Sequence, residues 1–250
     1  MDSNCIKIKE CEKHGSYKSQ QFCIFGTTFE SPCPKCEAEQ TAKENEENKQ
    51  TQEKAKIANL IERGIEPEFF NASLENYKAE NESEKKALQA CKDMADGKIK
   101  KLMLLGSNGT GKTMLACSLA LILGGVRITM FELSAKIRSS YSNGDFENSE
   151  LNILNHLLSY NFICIDEVGR TKGSDAERNW LSYLIDKAHT RNIRLMIISN
   201  RQTAKNLPAE RRSEAIEHFF DNDVISRLHE NTQIVEVKGR DRRAAVATAV

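Results

Sequence analysis

Apolar residues recur along this chain in two alternating rhythms. Short, mainly apolar runs stand at 99–105, 126–131, 160–165, 194–198 and 232–237. Between them lie stretches with helical spacing at 114–123, 150–158 and 176–189, the last with Trp180, Leu181, Leu184 and Ile185 on one face. A strand apolar at every position has both faces covered, and helices between successive strands give a parallel sheet. The pattern predicts an α/β core of three layers. A helix capped by Ser83 and running to Gly97 precedes the first strand, and another capped by Ser134 follows the second. Helical pieces at 208–220 and a short helix at 223–228 bearing Arg227 precede the last strand. That strand ends in a basic knot of Lys238, Arg240, Arg242 and Arg243.

Upstream the rhythm stops. Residues 38–64 are polar on every face until Ile57, Leu60 and Ile61, as in a solvated helix or a partly disordered linker. The expected organisation is a small domain at 1–37, a linker at 38–64, an α/β core at 65–243 and a tail at 244–250.

Composition narrows the setting. The 250 residues carry 36 basic and 36 acidic side chains, so any nucleic-acid contact must come from local patches. No run approaches the ~20 apolar residues of a membrane span, and residues 1–7 lack the apolar core of a signal peptide. The expectation is an intracellular, soluble protein of the cytosol with no membrane partner. Its eight cysteines then do not form a disulfide framework.

Between the first strand and its helix stand Gly106, Ser107, Asn108, Gly109, Thr110, Gly111, Lys112 and Thr113, in the form G-x-x-x-x-G-K-[ST]. Glycines let backbone N–H groups converge on the phosphates of ATP, and the following helix points its positive end at them. Lys112 supplies a cation for the β- and γ-phosphates, and Thr113 a hydroxyl for Mg²⁺. The 160–165 strand ends in Asp166 and Glu167. Placed beside the phosphate-loop strand, it would bring Asp166 to the Mg²⁺ shell and Glu167 to the attacking water as general base. Asn200, or failing it Ser199, could orient that water. Phe69 or Phe70 could meet the adenine.

Five of the cysteines lie in residues 1–37. Cys11 and His14 are three apart, as are Cys33 and Cys36. Two such pairs close a tetrahedral Zn²⁺ site, with the apolar residues between them forming a small hairpin over the metal. Cys23 or Cys5 could take the place of His14.

These motifs together resemble the bacterial replicative-helicase loaders of the DnaC/DnaI type and their phage-encoded counterparts, which are AAA+ ATPases related to the IstB transposition helpers. The resemblance rests on Cys11, His14, Cys33 and Cys36, on 106–113, on Ile165-Asp166-Glu167, on Ile198-Ser199-Asn200 and on Ser226-Arg227-Leu228. It implies an ATP-dependent loader that places the helicase on single-stranded DNA at initiation of replication. The zinc domain would grip the hexameric helicase, and the core would bind ATP and single-stranded DNA and assemble side by side. Arg227 would be a finger reaching a neighbour's γ-phosphate, and Arg243 a second arginine near the nucleotide, with Arg240 and Arg242 as its rivals. Lys136 and Arg138 would meet DNA phosphates, or else form a solvated helix face. Alternative functions are an IstB-like transposase helper and a nucleotide-sensing adaptor with little turnover.

Overall fold

The computed structural model describes residues 5–24, 27–143, 149–170, 174–220, 225, 228 and 232–242. The chain separates into two compact units, Met1–Asn59 and Leu60–Val250.

In the first unit, β1 (Cys5–Cys11), β2 (Gly15–Ile24) and β3 (Thr27–Glu30) form an antiparallel sheet in the order β1-β2-β3. This is one strand more than the expected hairpin. Ser31 ties the strand ends, its carbonyl accepting from the Ser19 hydroxyl at 2.9 Å and its own hydroxyl accepting from Gln20 N–H at 2.8 Å. Helix α1 runs from Pro34 to Glu62 over 29 residues and buries only Leu60. A helix this polar on every side is a solvated one.

The second unit is built on five parallel strands: β4 (Lys101–Leu105), β5 (Val126–Thr129), β6 (Phe162–Asp166), β7 (Arg194–Ser199) and β8 (Thr232–Glu236). Their order is β5-β6-β7-β4-β8. The strand ending in Asp166 is therefore not the neighbour of the phosphate-loop strand, as the sequence suggested. Strand β7 lies between them, pairing Leu102 with Met196 on one side and Cys164 with Met196 on the other.

Successive strand residues face opposite sides, and both sides are packed. Met103, Leu105, Ile163, Ile165, Leu195 and Ile197 meet side chains of α4 (Met130–Asn143), α5 (Glu150–Leu157) and α6 (Asp175–Thr190). Leu102, Leu104, Phe162, Cys164, Met196 and Ile198 meet those of α2 (Glu82–Ala95) and α3 (Lys112–Leu123). Fully burying one such Leu, Ile or Phe contributes roughly 1.5–3 kcal/mol.

Helix boundaries depart from expectation where capping chemistry decides. Asn81, not Ser83, caps α2: its side chain accepts from the N–H groups of Ser83 and Glu84, and the helix stops at Ala95. Strand β5 ends at Thr129 because Thr129 and Glu132 cap α4 reciprocally, Glu132 N–H donating to Thr129 Oγ1 at 3.1 Å and Thr129 N–H to the Glu132 carboxylate at 2.8 Å. Ser134 sits buried inside that helix, donating to Glu177 Oε1 at 2.9 Å. Ser174 and Glu177 form the capping box that opens α6. The 208–220 stretch consists of 3₁₀ turns, Ala209–Glu214 and Ile216–Phe219. Of the short helix read at 223–228, only Ile225 and Leu228 are described; Arg227 lies outside the described residues, as do Arg243 and the tail at 244–250.

Candidate functional site

The 106–113 loop leaves the end of β4 and enters α3, whose N-cap is Gly111 at φ +86°. Two of its glycines are required by what lies behind them. A Cβ at Gly109 would run into Asp241, and one at Gly111 would come within 2.7 Å of the Tyr77 ring. The loop is thus held from outside as well as open to phosphate. Arg242 N–H donates to the Gly109 carbonyl at 3.0 Å, and the Tyr77 hydroxyl to the Thr110 carbonyl at 3.0 Å. Burial pushes the Tyr77 hydroxyl up to about 12, so it stays a donor. The Arg242 guanidinium stacks 4.6 Å from the Tyr77 ring centre and donates to Glu84 Oε2, a buried carboxylate, at 2.9 Å.

Lys112 is buried, with Nζ donating to the carbonyls of Gly106 at 2.8 Å and Ser107 at 2.6 Å. Thr113 donates its hydroxyl to Asp166 Oδ2 at 3.0 Å. That same oxygen accepts from Arg127 Nε at 3.0 Å, and Oδ1 accepts from Glu167 N–H at 2.7 Å. Thr113 and Asp166 offer hard oxygen donors in contact with one another, the chemistry Mg²⁺ selects. Glu167 has φ +58°, a strained setting for a residue with a side chain. Its two carboxylate oxygens accept from Arg170 Nη1, each at 2.8 Å.

Lys112, Thr113, Asp166, Glu167 and Arg170 line one cavity of about 490 Å³, together with Asn108, Gly109, Thr110, Phe69, Asn200 and Arg242. Asn200 is thus the lining residue at the tip of β7. Ser199 is buried and spends its hydroxyl on the Val168 carbonyl at 2.6 Å, which removes it as a water-orienting group. Phe69 lines the cavity, whereas Phe70 only packs against the core. Of the three rival arginines, Arg242 lines the cavity and Arg240 pairs with Glu80 at 2.8 Å. Tyr77, Glu84, Arg127 and Arg170 escaped the sequence reading. Only Arg127, a cation inside an apolar run, left a local trace there.

In the first unit, Cys11, His14, Cys33 and Cys36 bring one ligand atom each within 4.8 Å of all the others. His14 Nδ1 lies 3.3 Å from Cys36 Sγ and 3.8 Å from the sulfurs of Cys11 and Cys33, and Cys11 Sγ lies 3.4 Å from Cys36 Sγ. With Zn–S near 2.3 Å, a tetrahedron has edges of about 3.8 Å, so the cluster fits zinc closely. Glu39 accepts from His14 Nε2 at 2.9 Å, which leaves Nδ1 as the ligand nitrogen. The Lys13 backbone N–H, and then the Cys36 thiol, bring the Cys11 thiol down to about 6, toward the thiolate a metal needs. The side chains of Cys5 and Cys23 lie outside the described residues.

A family model for the IstB-like ATP binding protein matches residues 42–247. The chain belongs to the IstB-like ATP-binding family. This IstB-like chain is 32% identical over 158 residues to the replicative helicase loader DnaC of Buchnera aphidicola subsp. Schizaphis graminum (strain Sg), covering 59% of this chain and 64% of that one. It is 30% identical over 132 residues to the replicative helicase loader DnaC of Escherichia coli (strain K12), covering 50% and 53%. The chain therefore spans about half to two thirds of the length of these curated relatives. Among solved structures, the crystal structure of the DnaC helicase loader aligns with a TM-score of 0.58 at 21% identity, covering 69% of this chain and 100% of that one. AMPPCP-bound DnaA from Aquifex aeolicus aligns with a TM-score of 0.56 at 15% identity, covering 73% and 54%. The likeness in fold is to the AAA+ P-loop ATPases, as the motifs implied. Among the described residues, no helix is long and apolar enough to cross a membrane.

Proposed function

We propose that this IstB-like protein is an ATP-dependent loader that delivers a hexameric replicative helicase to single-stranded DNA in the bacterial cytosol. The observation that carries the ATPase half is the meeting of Thr113 and Asp166 at 3.0 Å beside Lys112, in one cavity with Glu167 and Asn200. Loop amides at 106–111 and Lys112 bind the phosphates of ATP. Thr113 and Asp166 hold Mg²⁺, which when bound neutralises phosphate charge. Glu167 takes the proton of the attacking water once Arg170 releases it, and Asn200 orients that water. Phe69 covers the adenine. Arg242 takes the place near the nucleotide that the resemblance gave to Arg243. Arg227 is the finger offered to a neighbouring copy in a side-by-side assembly.

The helicase assignment draws on the DnaC relatives, which are replicative helicase loaders. Cys11, His14, Cys33 and Cys36 hold one zinc ion that folds the helicase-gripping unit. On α4 the exposed Lys136 and Arg138 share the helix with exposed Phe131 and Tyr141, a mixture of cations and rings suited to phosphates and stacked bases.

The Lys112→Ala chain should lose ATP binding, measured by equilibrium titration; affinity equal to that of the parent would refute the phosphate-loop assignment. Helicase capture by the full chain should survive Lys112→Ala and fail in Cys33→Ser with Cys36→Ser. Equal capture by both variants would remove the zinc unit as the grip. The bidentate Arg170–Glu167 pair favours a second reading, a nucleotide-sensing adaptor that turns over little. Steady-state turnover with helicase and DNA present separates the two.

A further inference from the structure

Arg127 lies within β5 between two buried apolar residues and is itself only 6% exposed. A buried guanidinium is costly unless opposite charge and acceptors surround it. Here they do. Nε donates to Asp166 Oδ2 at 3.0 Å, while Nη1 reaches the Gly64 carbonyl at 3.3 Å and Glu66 Oε1 at 3.4 Å. Asp166 is in turn clamped by donors from three elements: Arg127 on β5, the Thr113 hydroxyl on α3, and Glu167 N–H beyond the end of β6.

Arg127 and Thr113 share one oxygen. If the carboxylate rotated away, the Thr113 hydroxyl hydrogen would lose its acceptor and the hydroxyl could turn. We propose that Arg127 is a positioning residue for the metal side of the nucleotide site. By fixing Asp166 it keeps the Thr113 hydrogen on Oδ2, which leaves the hydroxyl lone pairs for Mg²⁺. This rests on the nucleotide-site reading given above. Through Gly64 and Glu66, the same guanidinium also fastens the residues that follow α1 to the Asp166 carboxylate.

The test uses the full chain, a fluorescent ATP analogue and a Mg²⁺ titration, with a parallel measurement in excess chelator. Arg127→Met should raise the Mg²⁺ concentration at half-effect about 10–100-fold, as loss of a supporting contact does at other metal sites. Its affinity for the analogue in chelator should match the parent's. Arg127→Lys keeps the charge but not the rigid fork. It should shift the Mg²⁺ midpoint by less, and it carries the test alone if the Met variant does not fold. An unshifted midpoint in the folded variants overturns the proposal. So does an equal loss of affinity with and without Mg²⁺, which marks a purely structural arginine. A parent chain that binds the analogue at no Mg²⁺ concentration would instead break the nucleotide-site reading itself.

Discussion

The two units hold themselves together by opposite means. From Leu60 onward, apolar side chains fill both faces of a parallel sheet, and the site is mounted on its edge-on loops. Among the described residues before Asn59, only Ser19 and Cys33 are buried, while Ile6, Ile8 and Phe29 are exposed. One unit has a core that would persist without its chemistry. The other, among its described side chains, has ligand chemistry and little buried apolar surface. A region with so little buried apolar surface needs a metal or a crosslink to fold.

The largest expected break in that contrast comes from the cluster. Cys33→Ser with Cys36→Ser should remove all bound metal, and with it ~10–16 kcal/mol of apparent folding energy. Residues before 59 should become protease-sensitive while the thermal transition of the second unit stays in place. A variant that keeps its protease resistance would show a core that the burial pattern does not reveal. Next, Glu167→Gln should lower ATP turnover by ~10²–10⁴ while leaving nucleotide binding and thermal stability intact. Single-turnover kinetics with unchanged rate would remove Glu167 as the base. Leu104→Ala, deep between β4 and α3, should cost the second unit ~2–5 kcal/mol in denaturant melts and leave metal content unaltered. The smallest effect sharpens the contrast most. Glu39→Ala, which strips His14 of its acceptor, should weaken zinc ~10–100-fold in chelator competition without touching ATP affinity. No change would reduce Glu39 to a surface partner of Lys13.

Short-range spacing made much of this legible. The phosphate loop, the acids at the end of β6 and the paired ligands of the cluster are each defined within a few residues; the first two line one cavity, and the ligand pairs meet in one cluster. Strand order was not legible, because an apolar run says that both faces are covered and nothing about which strand lies alongside. Cap assignments slipped at Ser83 and Ser134, where Asn81 and the Thr129–Glu132 pair compete as local acceptors. Tyr77 and Glu84 become site residues only through contacts with partners distant in sequence. No local pattern announces such contacts.

Residues 237–242 stand directly behind the phosphate loop, with Val237 against Gly106, Asp241 against Gly109, and the Arg242 amide on the Gly109 carbonyl. A ribosome delivers the loop long before it delivers this backing. The growing polypeptide therefore carries a loop without this backing while residues 114–236 are added, and the cavity wall is completed only when residues 237–242 have emerged from the exit tunnel.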